Sequence, residues 1–414
     1  MNKAEQQQQV RLAVIGLGGR GRSLLGNLLE MEDVQIAAVC DLYEDRRQLG
    51  SDQVEASVGR KPAVYADYKE LLAREQLDGV VIASSWSSHS EIALASMKAG
   101  IYTAVEAGGA ASVEECWELV RTSEETGMPC MMLENCCYGR EEMALLHMIR
   151  QGLFGELIHC QGGYEHDLRE EVAMGLDKRH YRVHHYLHRD GEIYPTHGIG
   201  PIAKYLNINR GNRFVALTSM SSKARGLKEW IAANLDASHP LADKEFAQGD
   251  IVTTMLKTSK GETVLLVHDT TLPRPYSRNG RVQGTKGIWL EDNKSIHLMG
   301  QSPEHQWESF DGYLTKHEHP LWEEYIRLGV RGGHGGMDYL VLRAFVESVA
   351  AQTTPPIDVY DTAVWMAVTA LSEQSIAQGS QPVAFPDFTN GKWTHREQAP
   401  AGKYSLETVD PSLF

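Results

Sequence analysis

Near the N-terminus, the sequence Val10-Arg-Leu-Ala-Val-Ile-Gly16-Leu-Gly18-Gly19-Arg20-Gly21 joins an apolar run to a glycine-rich turn. Its first half, Val10–Ile15, is a short apolar run typical of a buried strand. Its second half fits the pattern G-x-G-x-x-G and is followed by a helical pattern over Ser23–Met31. The glycines allow a tight turn and let a pyrophosphate approach the helix N-terminus, where free N–H groups and the helix dipole favour anions. This context predicts a dinucleotide-binding fold; the alternative is a glycine-rich turn without a ligand.

The residue that selects the dinucleotide follows the next apolar run. Val34–Cys40 is a second predicted strand, and Asp41 stands at its end. A carboxylate about 20 residues past the glycines accepts hydrogen bonds from the adenosine ribose hydroxyls and repels a 2′-phosphate. We therefore predict NAD rather than NADP as the cofactor. The residues that hold it are Asp41 and the glycines of the turn, which are Gly16, Gly18, Gly19 and Gly21.

Strand and helix patterns continue to alternate up to about residue 135. Further strands are predicted at Leu77–Ala83, Ile101–Val105 and Pro129–Leu133, and helices at Asp67–Arg74, Glu91–Ala99 and Val113–Glu125. Because these strands are continuously apolar, both faces of their sheet must be covered. The alternation predicts an α/β domain over residues 1–135, with a doubly wound parallel sheet of the Rossmann type.

The pattern changes after residue 136. Strands are predicted at Glu156–Tyr164, Arg213–Met220, Asp250–Lys257, Thr263–Asp269 and Gly280–Leu290 with little helix between them, and helices near Met337–Ala351 and Tyr360–Gln378. Such a run of strands is typical of an antiparallel sheet with one exposed face. We predict an α+β substrate-binding domain over residues 136–414, with an open, mostly antiparallel sheet and C-terminal helices able to pack back on the first domain. An open sheet face must be covered, which favours a homo-oligomer of unspecified order.

Composition narrows the classes of partner. The 414 residues carry a net charge of −15, which disfavours nucleic acid and leaves neutral polar small molecules. The N-terminal segment MNKAEQQQQVRL lacks the apolar core of a secretory signal, and no later run is apolar enough to span a membrane. The six cysteines form no C-x-x-C pair and are too sparse for a disulfide framework. These features predict a cytoplasmic protein without a membrane partner.

Polar residues stand where the later strands of the first domain end. Trp86, Ser87, Ser88 and His89 follow the predicted strand Leu77–Ala83. Glu106 closes the strand Ile101–Val105, and Asn135 comes at the end of the strand Pro129–Leu133. Ligands of a doubly wound sheet bind at the carboxyl ends of the strands, so these residues are candidates for cofactor contacts. Taken singly, His89 could also cap a helix or lie on the surface, and Glu106 could be a solvated charge.

Six longer blocks of the sequence are distinctive. They are Glu134-Asn-Cys-Cys-Tyr-Gly-Arg140, Gly162-Gly-Tyr-Glu-His-Asp-Leu-Arg169, Tyr194-Pro-Thr-His-Gly-Ile-Gly-Pro201, His268-Asp-Thr-Thr-Leu-Pro-Arg-Pro-Tyr276, Gly335-Gly-Met-Asp-Tyr339 and Asp387-Phe-Thr-Asn-Gly-Lys-Trp393. Together with the glycine turn and Asp41, these blocks resemble glycoside hydrolase family 109, within the Gfo/Idh/MocA oxidoreductases, over essentially the whole chain. The resemblance implies an NAD-dependent glycosidase, with α-N-acetylgalactosaminidase as the named activity of the family.

The resemblance also implies residue roles. It places NAD against Gly19, Arg20, Asp41, Trp86, Ser87, Ser88, His89, Glu106, Ala107, Asn135 and Tyr194. It places the sugar against Tyr164, Arg182, Tyr194, Pro195, Thr196, His197 and Tyr276. The nucleotide end agrees with the strand-end analysis above, whereas the sugar end rests on the resemblance.

The wider oxidoreductases differ from this chain at their acid–base groups. They commonly carry Glu-Lys-Pro at the end of the fifth strand, where the lysine assists proton transfer, and this chain has Glu106-Ala107-Gly108. Tyr-Pro-Thr-His197 also replaces their later Asp-x-Gly-x-x-x-His element. These departures disfavour the alternative of a sugar or inositol dehydrogenase that releases NADH. A third hypothesis, a non-enzymatic redox-sensing Rossmann protein, requires the Tyr194–His197 pocket to be idle.

The implied chemistry departs from glycosidases that use two flanking carboxylates. Hydride leaves C3 of the sugar for NAD, a base removes the acidified C2 proton, the aglycone leaves C1, water adds, and the hydride returns. His197 is our first candidate for the base, because an ordinary pKa near 6.5 suits proton exchange. Tyr164 and Tyr276 can donate hydrogen bonds to a ketone or enolate oxygen, and Arg182 offers a fixed cation to hydroxyl or acetamido oxygens.

Two further features are weighed as structural. His180, His184, His185 and His188 have spacings that could share a helical face, but the segment lacks a signature such as H-E-x-x-H and the implied mechanism needs no metal, so we expect none. The glycines of segment 332–336 are expected to shape a close backbone approach before the helix at Met337–Ala351. In that helix the predicted core residues are Leu340, Phe345, Val346 and Val349.

Overall fold

Two β-sheets organise the part of the chain that the computed structural model describes, which is residues 9–396, 402–407 and 409–414. Most of the polar N-terminal segment, residues 1–8, lies outside the described residues. The strands of the first sheet are β1 (Val10–Ile15), β2 (Val34–Cys40), β3 (Ala63–Tyr65), β4 (Gly79–Ile82), β5 (Tyr102–Glu106) and β6 (Cys130–Leu133). Its helices are α1 (Gly19–Leu29), α2 (Glu44–Val58), α3 (Tyr68–Arg74), α4 (Trp86–Lys98) and α5 (Val113–Thr126).

The first sheet has the strand order β3-β2-β1-β4-β5-β6, and every neighbouring pair is parallel. This is the order of a doubly wound Rossmann sheet, as predicted. The predicted strands are confirmed to within about two residues, whereas β3 and α2 were not predicted. α1 and α4 begin earlier than predicted, at Gly19 rather than Ser23 and at Trp86 rather than Glu91. The turn that follows each strand sets these starts, so the first apolar residue of the helical pattern is a poor guide to them.

The rest of the chain contains the second sheet and more helices than predicted. A 3-10 helix (Asn135–Tyr138) is followed by α6 (Arg140–Arg150), β7 (Leu157–Glu165), α7 (Arg169–Ala173), α8 (Arg182–His188), α9 (Thr196–Tyr205), β8 (Phe214–Ser221), α10 (Gly226–Asn234), β9 (Ile251–Thr258), β10 (Thr263–Asp269), β11 (Arg281–Gly284), β12 (Gly287–Leu290), β13 (Ser295–Leu298), β14 (Glu308–Ser309), α11 (Phe310–Lys316), α12 (Pro320–Leu328), α13 (Met337–Ala351), α14 (Val359–Ala377) and β15 (Val383–Ala384). Three further 3-10 helices span His334–Gly336, Lys392–Thr394 and Pro411–Leu413.

The second sheet is mostly antiparallel, as predicted, with one parallel pair of strands. Its order is β14-β13-β12-β11-β7-β10-β9-β8-β15, and β7 pairs with β10 in parallel, Tyr164 lying opposite His268. The parallel pair arises because the chain leaves β7 through the helices α7 to α9, so the expectation of little helix here was wrong. The single strand predicted at Gly280–Leu290 is two antiparallel strands, β11 and β12, separated at Thr285 and Lys286.

One glycine pair places the first turn of α9 directly on β7. A Cβ atom on Gly198 would lie 2.6 Å from the backbone nitrogen of Gly163, and one on Gly162 would lie 2.9 Å from the Cα of Gly198. Only glycines allow this close approach of helix to strand. The contact holds His197, at the start of α9, beside Tyr164 near the end of β7.

The C-terminal helices pack back on the first sheet. A Cβ atom on Gly79 of β4 would lie 3.1 Å from the ring of Phe345 in α13, and the Ala110 backbone N–H donates to the Met366 carbonyl of α14 at 3.1 Å. The four residues predicted for the core of α13 are all buried. No helix in the described part of the chain is both long enough and apolar enough to cross a membrane.

Candidate active site

The glycine turn after β1 leaves room for a phosphate group. Gly16 has a φ of +94°, and a Cβ atom there would lie 2.5 Å from the Ala83 carbonyl carbon. A Cβ atom on Gly21 would lie 1.8 Å from the Gly16 oxygen, so these two glycines are required by the turn itself. At Gly19, the first residue of α1, nothing lies within 4 Å of such an atom. The open space at this helix N-terminus fits the pyrophosphate of a dinucleotide.

Asp41 lies where the sequence placed it, after β2, and is buried. Its carboxylate accepts hydrogen bonds from the Leu17 N–H at 2.7 Å and from the Tyr43 N–H at 2.9 Å. Asp41 therefore fixes the glycine turn as well as standing at the predicted ribose position. Each oxygen keeps a second lone pair for a ribose hydroxyl.

Arg20 joins the ends of three segments through one ionic network. It donates to Glu106, with 3.0 Å between Nε and Oε2, and to both oxygens of Asp338 at 2.6 and 2.9 Å. Asn135 also donates to Asp338, at 2.7 Å. Burial raises the pKa of the Asp338 carboxyl, but hydrogen bonds from His334 and Arg20 outweigh it and hold that pKa far below its usual range. Asp338 was not predicted from the sequence. It comes from α13 and lies next to three predicted cofactor residues.

The segment after β4 forms the first turn of α4. The hydroxyls of Ser87 and Ser88 each lie 3.1 Å from that of Ser85, which keeps the turn polar. His89 is buried inside the helix, with its Nε2 3.1 Å from the Ser84 carbonyl. Burial lowers the pKa of His89 to about 4, so its ring is neutral at physiological pH. His89 is therefore neither a helix cap nor a surface residue.

Trp86 connects the two halves of the site. Its ring stacks on Tyr194, with centroids 5.3 Å apart and planes 22° apart. The guanidinium carbon of Arg182 lies 5.3 Å from the ring centroids of both Trp86 and Tyr194, and 5.7 Å from that of Tyr164. A cation held by three aromatic rings is stabilised by their negative faces. Arg182 is thus a fixed positive charge in this pocket, and its Nε has no hydrogen-bond partner among the described residues.

Two tyrosines and a histidine line the pocket on the β7 side. The ring of Tyr164 lies 4.7 Å from that of Tyr194 and 6.2 Å from that of Tyr276, and the Tyr276 side chain is half exposed. The Tyr164 hydroxyl lies 3.1 Å from Nδ1 of His166. Burial lowers the pKa of His166, and the charge of Arg182 adds to this effect. His166 was not predicted, although it stands two residues from Tyr164 in a quoted block.

His197 pairs with a carboxylate that sequence analysis did not select. Its Nδ1 lies 2.7 Å from Oε1 of Glu134, whose side chain is fully buried, and its Nε2 lies 3.4 Å from the Tyr194 hydroxyl. Burial alone would lower the pKa of His197, but the neighbouring Cys136 sulfur and Glu134 carboxylate raise it well above its ordinary value. The pair can therefore hold a proton at the pocket and exchange it through Nε2.

Three further predicted residues lie beside residues already described. Pro195 precedes α9, Thr196 is its buried first residue, and the Ala107 N–H donates to the Glu106 carboxylate at 3.1 Å. The histidines of α8 are dispersed: His184 is exposed, and the His185 ring lies 5.1 Å from that of Trp86. None of them belongs to a group of three potential metal ligands in the described residues.

Two family models divide the chain where its two sheets divide it. The model described as "Glycosyl hydrolase 109, C-terminal domain" matches residues 138–395, and "Oxidoreductase family, NAD-binding Rossmann fold" matches residues 10–134. The chain belongs to glycosyl hydrolase family 109. A family 109 protein of Stenotrophomonas maltophilia is 45% identical over 96% of this chain and 93% of its own length. An α-N-acetylgalactosaminidase of Tannerella forsythia is 42% identical over 94% of this chain and 88% of its own length.

Solved structures of other enzymes share the fold. The myo-inositol 2-dehydrogenase of Lactobacillus plantarum superposes with a TM-score of 0.66 at 16% identity, over 92% of this chain and 100% of that one. The myo-inositol dehydrogenase of Lactobacillus casei, solved with NAD(H) and myo-inositol, gives a TM-score of 0.62 at 13% identity, over 94% of this chain and 100% of that one. This family 109 member is therefore a glycoside hydrolase with an NAD-binding Rossmann fold, which sets aside the hypothesis of a non-enzymatic sensor.

Proposed function

We propose that this family 109 member hydrolyses α-N-acetylgalactosaminides with NAD as a resident cofactor. The observation that carries the proposal is the Glu134–His197 pair, 2.7 Å apart, which stands among the aromatic rings at the carboxyl ends of the Rossmann strands. It supplies a proton-exchanging group in a site that lacks the lysine of the related dehydrogenases. The name of the Tannerella relative supports the choice of sugar.

NAD would bind across the strand ends of the first sheet. The proposed contacts are Gly16, Gly18, Gly19, Arg20, Gly21, Asp41, Trp86, Ser87, Ser88, His89, Glu106, Ala107, Asn135 and Tyr194. When bound, NAD supplies reversible hydride transfer at C3 of the sugar, which acidifies the proton on C2. The open space at Gly19 and the placement of Asp41 support this mode of binding.

His197 is proposed to exchange the C2 proton. Its neutral ring accepts the proton at Nε2, and Glu134 stabilises the imidazolium that results and fixes the orientation of the ring. A buried carboxylate at the second nitrogen plays this part in other catalytic histidines. The proton on Nε2 exchanges with solvent, so a solvent-derived proton is returned to C2 after water has added.

The other pocket residues are proposed to bind the sugar. Tyr164 donates to the developing enolate oxygen, with His166 accepting or returning its proton at 3.1 Å. Arg182, fixed among three rings, binds hydroxyl or acetamido oxygens. Pro195, Thr196 and Tyr276 complete the wall, and the half-exposed ring of Tyr276 stands at the open side where an aglycone would leave.

The organisation around this site is proposed as follows. Residues 1–135 bind the cofactor and residues 136–414 bind the sugar. Met220, Met255, Leu265 and Val267 lie on the outer face of the second sheet, and a second copy of the chain is proposed to cover them. Six free, buried cysteines support a cytoplasmic location, and a net charge of −15 supports a neutral glycoside rather than nucleic acid or an acidic membrane as partner.

Hydrolysis of a chromogenic α-N-acetylgalactosaminide tests the proposal. We expect release of the chromophore without net NADH, because each turnover would regenerate the cofactor. A dehydrogenase would instead produce NADH in proportion to free sugar or inositol consumed. NADH accumulation without chromophore release would overturn the proposed function in favour of that alternative.

A further inference from the structure

Three potential metal ligands converge beside the proposed base. Single ligand atoms of Glu134, Cys136 and His197 all lie within 4.8 Å of one another. Glu134 and Cys136 are two residues apart at the start of a 3-10 helix, and the Cys136 N–H donates to Glu134 at 3.0 Å. His197 enters from α9, which the glycine contact holds against β7. The end of β6, the 3-10 helix and the start of α9 thus set the three positions.

The ligand atoms of this cluster retain bonding capacity. Glu134 is fully buried, yet its Oε2 has no hydrogen-bond partner in the described residues. Cys136 is buried, and its sulfur lies beside His197 and makes a long contact of 3.6 Å with the Asn135 side-chain oxygen. A buried carboxylate oxygen left without a partner is costly, and a bound cation would remove that cost.

The donor set selects the class of cation. A thiolate, an imidazole nitrogen and a carboxylate are the ligands of zinc and of the softer cadmium ion, whereas magnesium and calcium require oxygen ligands alone. Two anionic ligands also match the charge of a dication. Three protein ligands leave the fourth tetrahedral position open, as in sites that admit water or substrate.

We propose that Glu134, Cys136 and His197 form an inhibitory site for a thiophilic divalent cation, with zinc as its natural occupant. The metal would replace the proton held between Glu134 and His197 and withdraw the carboxylate from the ring. An imidazole bound to a dication does not accept a proton from the sugar, so turnover stops until the metal leaves. The expectation that the reaction itself needs no metal is unaffected.

Cadmium binding tests the site without reference to activity. Titration of the intact protein with Cd²⁺, in the absence of sugar, is expected to give the ultraviolet sulfur-to-cadmium charge-transfer band at one equivalent. Cys136→Ser and Cys136→Ala are expected to lose the band. Cys137→Ser is the matched control, since Cys137 is also buried but is not part of the cluster, and it should keep the band. Absence of the band, or its persistence in folded Cys136 variants, would overturn the site.

Zinc titration of the hydrolysis reaction tests the inhibitory role, which rests on the proposed function. Zn²⁺ is expected to inhibit hydrolysis reversibly, with recovery on adding a chelator. For each protein, the half-inhibiting zinc concentration is measured against that protein's own uninhibited rate. This concentration should be about tenfold or more higher for Cys136→Ser than for the native enzyme. Cadmium binding at Cys136 without zinc inhibition overturns the inhibitory role. If no variant hydrolyses any glycoside, the proposed function fails while the cadmium result still decides the site.

Discussion

At the scale of single residues, the central feature is a carboxylate that holds a histidine. Glu134 and His197 lie 63 residues apart in sequence and meet only because α9 packs on β7. The family resemblance identified His197, but no spacing in the sequence identified its carboxylate partner. The same holds for Asp338, which is 203 residues from Asn135, the residue that donates to it. Residues so far apart in the sequence are paired by the tertiary structure, which the sequence pattern does not reveal. Asp41 was predicted because it follows the glycines by only about 20 residues.

Replacing Glu134 with glutamine is predicted to move the pH profile of hydrolysis. Glu134 helps to hold the His197 pKa above its ordinary value, so in the native enzyme the neutral, proton-accepting ring increases as the pH rises through that raised pKa. In Glu134→Gln the pKa falls, so the rising limb should move to lower pH while the maximal kcat falls by about 10²-fold or more. Glu347→Gln, which alters a carboxylate paired with Arg343, is the control and should leave the limb in place. An unmoved limb in Glu134→Gln would contradict the role of Glu134.

The same substitution gives a prediction for stability. The folded-state pKa of His197 is raised, so its pairing stabilises the protein fully below the unfolded histidine pKa of about 6.5, while Glu134 remains ionised. That stabilisation is lost as the pH rises through the raised folded-state pKa. The difference in free energy of unfolding between the native protein and Glu134→Gln should therefore be largest at mildly acidic pH and shrink as the pH increases. Denaturant titrations over a pH series measure it, and a difference that grows with pH would contradict the pairing.

Among the secondary-structure elements, the turn between β1 and α1 contains glycines with two different roles. One is needed for the turn to form, and the other leaves space for a ligand. Gly21 is required by the turn, because its Cβ would lie 1.8 Å from the Gly16 oxygen, whereas Gly19 faces open space. Both glycines are visible in the sequence motif. Only the structure distinguishes their roles, because the distinction depends on what stands opposite each Cβ. The glycine turn also sets the start of α1 at Gly19. The apolar pattern begins only at Ser23, so it placed the start of the helix too late.

Alanine at these two positions is predicted to act differently. Gly19→Ala should leave the thermal stability of the NAD-free protein unchanged or slightly higher, since alanine is favoured over glycine in a helix by up to about 1 kcal/mol. It should weaken NAD binding by about tenfold or more, equivalent to about 1.4 kcal/mol, because the methyl group enters the phosphate space. Gly21→Ala should lower stability and NAD binding together. Thermal melts and NAD titrations distinguish them; full NAD affinity in Gly19→Ala would show that no phosphate lies there.

At the scale of the whole molecule, the two sheets depend on each other. The order of elements predicted both sheets, because apolar runs and their spacing are local properties. The parallel pairing of β7 with β10 and the hairpin of β11 and β12 were not predicted, because strand partners are chosen by long-range packing. The return of α13 and α14 to the first sheet was foreseen only as an option. The Rossmann fold of residues 10–134 is therefore completed by α13 and α14, which lie more than 200 residues further along the chain.

Phe345→Ala tests this dependence. Phe345 is buried on α13 against Gly79 of β4, so truncation should cost about 3–5 kcal/mol of unfolding free energy. Because the helix belongs to both halves, we expect one cooperative transition for native protein and variant, shifted to lower temperature in the variant. Saturating NAD should raise the melting temperature of both. The shared core would be contradicted if the variant unfolded in two separate thermal transitions and if only the transition of the part that contains the second sheet moved to lower temperature.

The proposed mechanism requires that a residue of the protein exchanges the C2 proton of the sugar. Hydrolysis of a chromogenic α-N-acetylgalactosaminide in deuterated water, followed by mass spectrometry of the released sugar, tests it most directly. We expect one carbon-bound solvent deuteron, located at C2, in the sugar that the native enzyme releases. We expect His197→Gln to lose both hydrolysis and exchange. The mechanism would be contradicted if His197→Gln hydrolysed the substrate at an undiminished rate and if neither the native enzyme nor the variant released sugar with carbon-bound deuterium.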